Sequence, residues 1–343
     1  MPITTKEANM VDDESQLASA GTTVIGRMNV TMAGSTENEN AGVVATNLQE
    51  APVEAAVVRL CGGKRLKGSV AEGSRDLPLV TVITAVYNGY LYIAGCLESV
   101  LRQDYPNIEH IVIDGGSSDG TVDVLQQYDN RIALWKSEPD RGLYDAWNKA
   151  LSEARGEWIC FLGSDDEFLP GAVSAYMALA AKNPEAEYLN SSVRLVHSSG
   201  YERAFGRPWK WKEFSRWMRW SQAGSMHRRS LFDRLGAYDP TFGAVADYEF
   251  LLRAGDGLKA AYMPMETVMM RWGGVSDGPR ACSDATRAKI ITGRRNVLLA
   301  NMELLIAKVR YYLRPLRRRY YFRPLRRFIQ GLVSRYDPAS TRP

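Results

Sequence analysis

Three consecutive carboxylates, Asp165, Asp166 and Glu167, follow closely on the apolar run "WICFL" in the stretch "GEWICFLGSDDEFLPGAV" (156–173). A buried strand that ends in like charges needs either a cation to meet them or a helix start for them to cap. Oxygen ligands with no Cys or His cluster nearby favour a hard ion, Mg2+ or Mn2+. Such ions commonly take substrate phosphates as their remaining ligands. The acids would then be a metal bridge to a nucleotide.

Other chemically capable residues also stand at the ends of apolar runs. "LVTVITAV" (79–86) leads to Tyr87 and Asn88, and "IEHIVI" (108–113) to Asp114 and "GGSSDGT". "RIALW" (131–135) leads to Glu138, Asp140 and Arg141, and "EWICFL" to Ser164, Asp165 and Asp166. Between these runs apolar residues recur at helical spacing: Ile93, Leu97, Val100 and Leu101; Val122 and Leu125; Leu143, Trp147, Ala150 and Leu151. Strands alternating with helices of this length predict an α/β fold with a mostly parallel sheet flanked by helices. Its ligand crevice lies beyond the carboxyl ends of the strands, so the polar groups share one rim.

Taken in order, "PLVTVITAVYNG", "IVIDGGSSDGT", "EPDRGLYDAWNKAL" and "FLGSDDEFLPGA" resemble the nucleotide-sugar-binding half of a family 2 glycosyltransferase with a GT-A, Rossmann-like fold. The resemblance is close over about 78–175 and looser to about 280. It implies that Thr84, Ala85 and Tyr87 border the base and ribose, that Asp114 binds the base, and that Asp140 and Arg141 lie beside the nucleotide. Asp165 and Asp166 fall on the family's DxD metal and ribose motif, with Gly163 where the "DADD" form has its first acid. "GAVADYEFLLRA" resembles the segment that carries the general base at the start of a helix. Asp247 takes that position, and Ala246 stands where Glu is usual. "RWGGVSD" resembles the Gly-rich loop of bacterial polysaccharide transferases, and the "QxxRW" signature of processive synthases is absent. The implied activity is inverting transfer of one sugar from a UDP-sugar to a glycan acceptor, lipid-linked in the family's usual roles, in exopolysaccharide, capsule or lipopolysaccharide assembly. A sugar nucleotidyltransferase, or a degenerate nucleotide-sugar-binding scaffold, would share the nucleotide pocket.

Acidic residues are common in the first turn of any helix, so Asp247 could serve the helix dipole alone. Glu249 could be the ion-pair partner of an Arg instead of a second catalytic group, and His227, a solitary His, is expected to be structural.

Residues 1–76 have no aromatic residue and no sustained periodicity, and are expected to be a disordered low-complexity extension. The transferase domain is expected over 77–282, divided into a donor half (77–175) and an acceptor half (176–282). A helical, Arg-rich segment (283–335) and a short tail (336–343) follow. Residues 310–335 hold nine Arg and no acid, which leaves 34 basic against 39 acidic residues elsewhere, a net −5. "YYLRPLRR" and "YYFRPLRR" within it combine aromatic anchors with clustered Arg, a pattern suited to an anionic membrane surface. The acidic body offers no continuing basic groove, so no nucleic acid is expected. The four Cys lie far apart, so neither a zinc site nor a disulfide framework is expected. With no leader and no apolar run of about 18 residues, the chain reads as cytoplasmic and peripheral to the inner face of the plasma membrane.

Overall fold

The computed structural model describes residues 60–218, 220–273 and 279–313. The first half of the sheet is built as its patterning requires. Strands β1 (Leu60–Gly62), β2 (Val80–Val86), β3 (Ile108–Asp114), β4 (Leu134–Ser137) and β5 (Trp158–Gly163) are joined by helices α1 (Tyr90–Leu101), α2 (Thr121–Gln127) and α3 (Leu143–Glu153). β2 lies between β3 and β5 and pairs in parallel with both, and β3 pairs in parallel with β4. Chain order therefore reverses at β2, and a crevice opens above the ends of β2 and β5.

The two faces of each strand enter different cores. Ile83, Ile111, Ile113, Ile159 and Phe161 pack with Trp147 of α3, while Val80, Val82, Trp158, Cys160 and Leu162 face the opposite side. Both faces are dry, so these strands read as apolar runs rather than as alternations.

Beyond β5 come β6 (Glu167–Phe168), α4 (Ala172–Lys182), β7 (Tyr188–Val196), β8 (Glu202–Phe205), α5 (Trp211–Phe214), β9 (Ser225–Arg228), α6 (Arg229–Leu235), α7 (Ala246–Ala254) and β10 (Ala260–Arg271). α8 (Pro279–Ile291) and α9 (Val297–Tyr312) complete the described chain. The sheet order is β1-β4-β3-β2-β5-β9-β7-β10-β6, with β8 also on β7. β9 is antiparallel to both β5 and β7, so it joins a second parallel pair, β7 and β10, to the first sheet half. The long ladders are parallel and the antiparallel ones short, which agrees with the expected mostly parallel sheet.

Two boundaries differ from expectation. Residues 60–67 belong to the folded body instead of to a disordered extension: β1 pairs antiparallel with β4, and the Gly63 amide donates to Asp129 Oδ1 at 2.5 Å. Gly62 permits this close approach, since a Cβ there would stand 2.5 Å from Trp135 Nε1. The third strand starts at Leu134 rather than Arg131, because Arg131 and Ile132 first turn back to donate to the Tyr128 carbonyl at 2.8 and 3.0 Å. Residues 1–59, and the basic repeats from 314 onward, lie outside the described residues.

Candidate active site

β5 delivers the acids. After Gly163 the chain turns, with the Asp166 amide donating to the Gly163 carbonyl at 3.0 Å, and β6 then pairs with β10. That pairing brings Arg271, at the end of β10, against the turn. Its backbone amide donates to Asp166 Oδ1 at 3.1 Å and its Nε to the Asp165 carbonyl at 3.0 Å, while its guanidinium reaches Glu167 Oε1 at 3.3 Å. The same guanidinium lies over the Tyr92 ring, 4.9 Å from its centre. Arg271 is thus a positive group these carboxylates meet, one the motif reading did not single out.

Arg271 does not balance the site. Burial, and then repulsion from Asp165, push the Asp166 carboxyl up to about 7 despite the Arg271 amide and charge. Gly163 shows how tightly the two carboxylates fold together. A Cβ at that position would stand 2.8 Å from Asp166 Oδ2 and 3.1 Å from Asp165 Oδ1, so the place of the family's first acid is filled by the other two. Two neighbouring carboxylates, one of them buried and held partly protonated, form a set of oxygen donors that fits a divalent cation. Among the described residues no group of three or more His, Cys, Asp or Glu could hold a metal, so phosphate or water would have to complete the shell. Helix capping is not what the acids do: α4 starts behind Gly171, and the Val173 amide donates instead to Gln103 Oε1 at 3.1 Å.

Asp247 lies in the first turn of α7, a helix buried from Ala246 to Leu252. Its Oδ1 accepts from the Tyr144 hydroxyl at 3.0 Å and from the Tyr248 amide at 2.8 Å. Burial raises this carboxyl to about 6, and the Tyr144 hydrogen bond opposes the rise. Desolvation thus outweighs the helix dipole, leaving a group that is ionised at neutral pH yet basic enough to accept a proton. Glu249, two residues on, is paired with Arg253 at 3.0 Å, as expected of it. His227 is fully buried among Phe161, Tyr188, Phe232 and Phe250 and is driven down to about 3 by burial, which suits a structural residue and not a base.

The expected nucleotide residues divide into three groups. Ala85, Asp165, Asp166 and Asp247 line one cavity of about 730 Å³, with Ser164, Tyr144 and Trp147 among its walls. Tyr87, Asp140 and Arg141 stand at the adjoining rim. Tyr87 is exposed, Asp140 Oδ1 accepts from the Gly142 amide at 2.7 Å, and Arg141 pairs with Asp145 at 2.8 Å. Thr84 and Asp114 form the third group, with both side chains wholly buried. The Thr84 hydroxyl points into the core, 3.0 Å from His110 Nε2. Asp114 accepts from the amides of Gly116 and Ser117 at 3.1 and 2.9 Å, and from the hydroxyls of Ser117 and Ser137. Three of these bonds fall on Oδ2 and one on Oδ1, so the carboxylate shapes the loop that follows β3. The carboxylate beside that loop is Asp140, whose Oδ2 would stand 2.6 Å from a Cβ on Gly115.

Short polar residues lock the rim. The Asn88 amide donates to Ser117 Oγ at 2.7 Å, and the Ser118 amide to Asn88 Oδ1 at 3.0 Å, with Asn88 in the left-handed region at φ 50°. Asp119 accepts from the Tyr90 and Thr121 amides, both at 3.0 Å, so one side chain serves the first turns of α1 and α2.

Comparison with known proteins agrees with this architecture. The family model described as Glycosyl transferase family 2 matches residues 81–235. An uncharacterized glycosyltransferase of Mycobacterium tuberculosis is 39% identical over 183 residues, which span 52% of this chain and 69% of the relative. The putative teichuronic acid biosynthesis glycosyltransferase TuaG of Bacillus subtilis is 47% identical over 94 residues, 26% of this chain and 37% of TuaG. Among solved structures, TarS 1–349 of S. aureus in complex with UDP-GlcNAc aligns with a TM-score of 0.51 at 18% identity, covering 66% of this chain and 70% of that one. The mannosyltransferase PcManGT of Pyrobaculum calidifontis, in complex with GDP-Man and Mn2+, aligns at 0.52 and 19% identity over 80% and 86% of the two chains. At such identities the structures speak for the fold alone, and the sequence relatives carry the family. This chain belongs to glycosyltransferase family 2.

Proposed function

We propose that the chain transfers a single sugar, with inversion, from a UDP-sugar to a glycan acceptor. The carrying observation is the cavity that gathers Asp165 and Asp166 at the end of the parallel strands together with Asp247 at the start of α7. Ala85, Tyr87, Asp140 and Arg141 border the base and ribose, and Asp114 holds the loop that Tyr87 and Asp140 adjoin. Asp165 and Asp166 would hold Mg2+ or Mn2+, which when bound supplies positive charge to the departing diphosphate. Arg271 keeps the two carboxylates in place and adds charge to that end. Asp247 takes the proton of an acceptor hydroxyl as its oxygen forms the new bond to the anomeric carbon. The bond from that carbon to the diphosphate oxygen breaks, and UDP leaves with the electron pair. A positioned base of this kind contributes about 10² to 10⁴ in rate.

The likeness to transferases solved with UDP-GlcNAc and with GDP-Man supports a nucleotide-sugar donor, and the Mn2+ in one of them supports a metal. The name of TuaG, and of relatives assigned to PGL/p-HBAD biosynthesis, supports a place in bacterial polysaccharide or glycolipid assembly. Among the described residues no helix is long and apolar enough to cross a membrane. The basic segment 310–335 would hold the enzyme on the anionic inner face of the plasma membrane, with 77–175 serving the donor and 176–282 the acceptor.

Calorimetric titration of UDP, with Mn2+ and then with EDTA, tests the reading. Binding that needs the metal and is lost in Asp165→Ala/Asp166→Ala is the expected result. UDP binding that is indifferent to both the metal and the double substitution would remove the metal bridge.

A further inference from the structure

Phe205 of β8 and Met270 of β10 line the same cavity as Asp247, and both belong to a sheet face that extends beyond it. Phe205 stands opposite Val193 of β7, and Arg203 opposite Leu195, while Met270 of β10 is the partner of Leu195 on its other side. Opposed residues share a face and alternate residues repeat it, so these side chains form one surface. Trp272 continues the alternation after Met270, with its amide donating to the Val196 carbonyl at 2.9 Å. Val193 and Leu195 are buried at one end of this surface, whereas Arg203 and Trp272 are exposed at the other.

The exposed end is built around a cation. The Arg203 guanidinium lies over the Phe205 ring, 6.0 Å from its centre, and over the Trp272 ring at 5.8 Å. The His197 ring meets Trp272 edge to face at 6.0 Å, and the turn from β7 to β8 is tied by the His197 amide, which donates to the Tyr201 carbonyl at 2.9 Å. Among the described residues Arg203 forms no ion pair. Its neighbour Glu202 alternates to the opposite face. The contrast with Arg194 is direct: opposite Ala204, and so on that other face, it is held by Glu266 at 2.7 Å. A guanidinium oriented by two aromatic rings and left without a carboxylate is prepared for an anion from outside. Trp272, 37% exposed beside it, offers apolar ring surface.

We infer that the exposed end of the β7–β8–β10 face is a subsite for an acidic saccharide, one whose sugar rings carry carboxylates. Arg203 takes a carboxylate, and one guanidinium matches a singly charged group. Trp272 receives the C–H face of a sugar ring. The inference rests on the transferase reading above and narrows its acceptor. Because the surface begins at Phe205 and Met270, on the cavity that holds Asp247, it receives the units that neighbour the reacting one.

Calorimetry with the full chain tests this with two probes, trigalacturonate and a hyaluronan tetrasaccharide, each compared with its neutral methyl ester. At least one acid is expected to bind about three- to tenfold more tightly than its ester at low ionic strength, with the advantage shrinking as salt is added. Arg203→Gln should remove that advantage and leave both the ester and UDP in Mn2+ with unchanged affinity. Trp272→Ala should weaken acid and ester alike. Acids that bind no more tightly than their esters, or a preference that survives Arg203→Gln, would overturn the subsite. A fall in UDP affinity in Arg203→Gln would also overturn it, by assigning the arginine to the donor. So would glycerophosphoglycerol, a phosphodiester without a sugar ring, binding as tightly as the saccharides, since the face would then read charge alone. Recruitment to phosphatidylglycerol vesicles that is lost in either variant, with no saccharide bound by the wild type, would make the face a membrane contact and overturn it as well. Failure of UDP to bind the wild-type protein would instead count against the transferase reading and leave the saccharide preference to be judged by itself.

Discussion

The carboxylates at the end of β5 and the carboxylate at the start of α7 are held by opposite means. Asp165 and Asp166 sit on a tight turn at the rim, crowded over Gly163 and steadied by Arg271. Asp247 lies inside the protein, on a buried helix start, with Tyr144 and a backbone amide as its partners. Both sites raise a carboxyl, and burial is the larger cause in each. The second cause differs. At Asp166 a like charge adds to the rise, a condition that a divalent cation relieves. At Asp247 a hydrogen bond opposes it and keeps the group available as a base. Under the proposed function, the site for a cation and the site for a proton differ in what stands next to an equally dry carboxyl.

Three changes would break or sharpen this contrast. Asp247→Asn removes the proton acceptor and should lower transfer by about 10² to 10⁴ while UDP affinity stays within a few fold. Its melting temperature should be unchanged or higher, since burial already disfavours the ionised form. Full activity in this variant would refute the base. Tyr144→Phe is smaller in effect. Losing a hydrogen bond to a charged group is worth about 1.5–3 kcal/mol, so transfer should fall about tenfold or more. Because that bond lowers the Asp247 carboxyl from where burial would place it, the acid limb of the pH–rate profile, expected near pH 6 in the wild type, should move to higher pH. An unmoved limb would show that Tyr144 serves packing only.

The smallest effect concerns the metal-free protein. The folded Asp166 carboxyl lies at about 7, above the ordinary value of 3.8, so its protonated form favours folding. That contribution is complete below about pH 4 and is lost as pH rises through 7. Asp166→Asn should therefore raise the metal-free melting temperature by a few degrees at pH 8 and leave it nearly unchanged at pH 4. Mn2+ should reverse the sign at pH 8 by stabilising the wild type alone. Equal shifts at both pH values would place the strain elsewhere.

Strands β2 to β5 were readable because two buried faces make runs of β-branched and apolar residues, and the acids at their ends follow in order. The same property hid Thr84. A strand dry on both sides gives no alternation from which to tell which face a given residue takes, and Thr84 turned inward to His110. Asp114 was legible as a rim acid but not as one that also holds its loop through four donors, since the partners include Ser137 on another strand. Arg271 and Tyr144 carry no local signal at all: they reach Asp166 and Asp247 across 105 and 103 residues of chain. Their positions depend on the β6–β10 pairing and on the packing of α3, which no periodicity specifies. The edge strand at Leu60–Gly62 was missed for a related reason, because main-chain hydrogen bonds and one glycine hold it in place.

That edge strand matters for how the molecule behaves in company. β4 would otherwise be the open margin of the sheet, presenting unpaired amides and carbonyls to any passing extended chain. Leu60–Gly62 occupies that margin, and the turn that follows ties it to the body, with Arg65 paired to Glu153 and Lys67 to Asp129. A version of the enzyme trimmed back to residue 77, where the family motifs begin, would keep every residue of the proposed site and lose its guard against clumping.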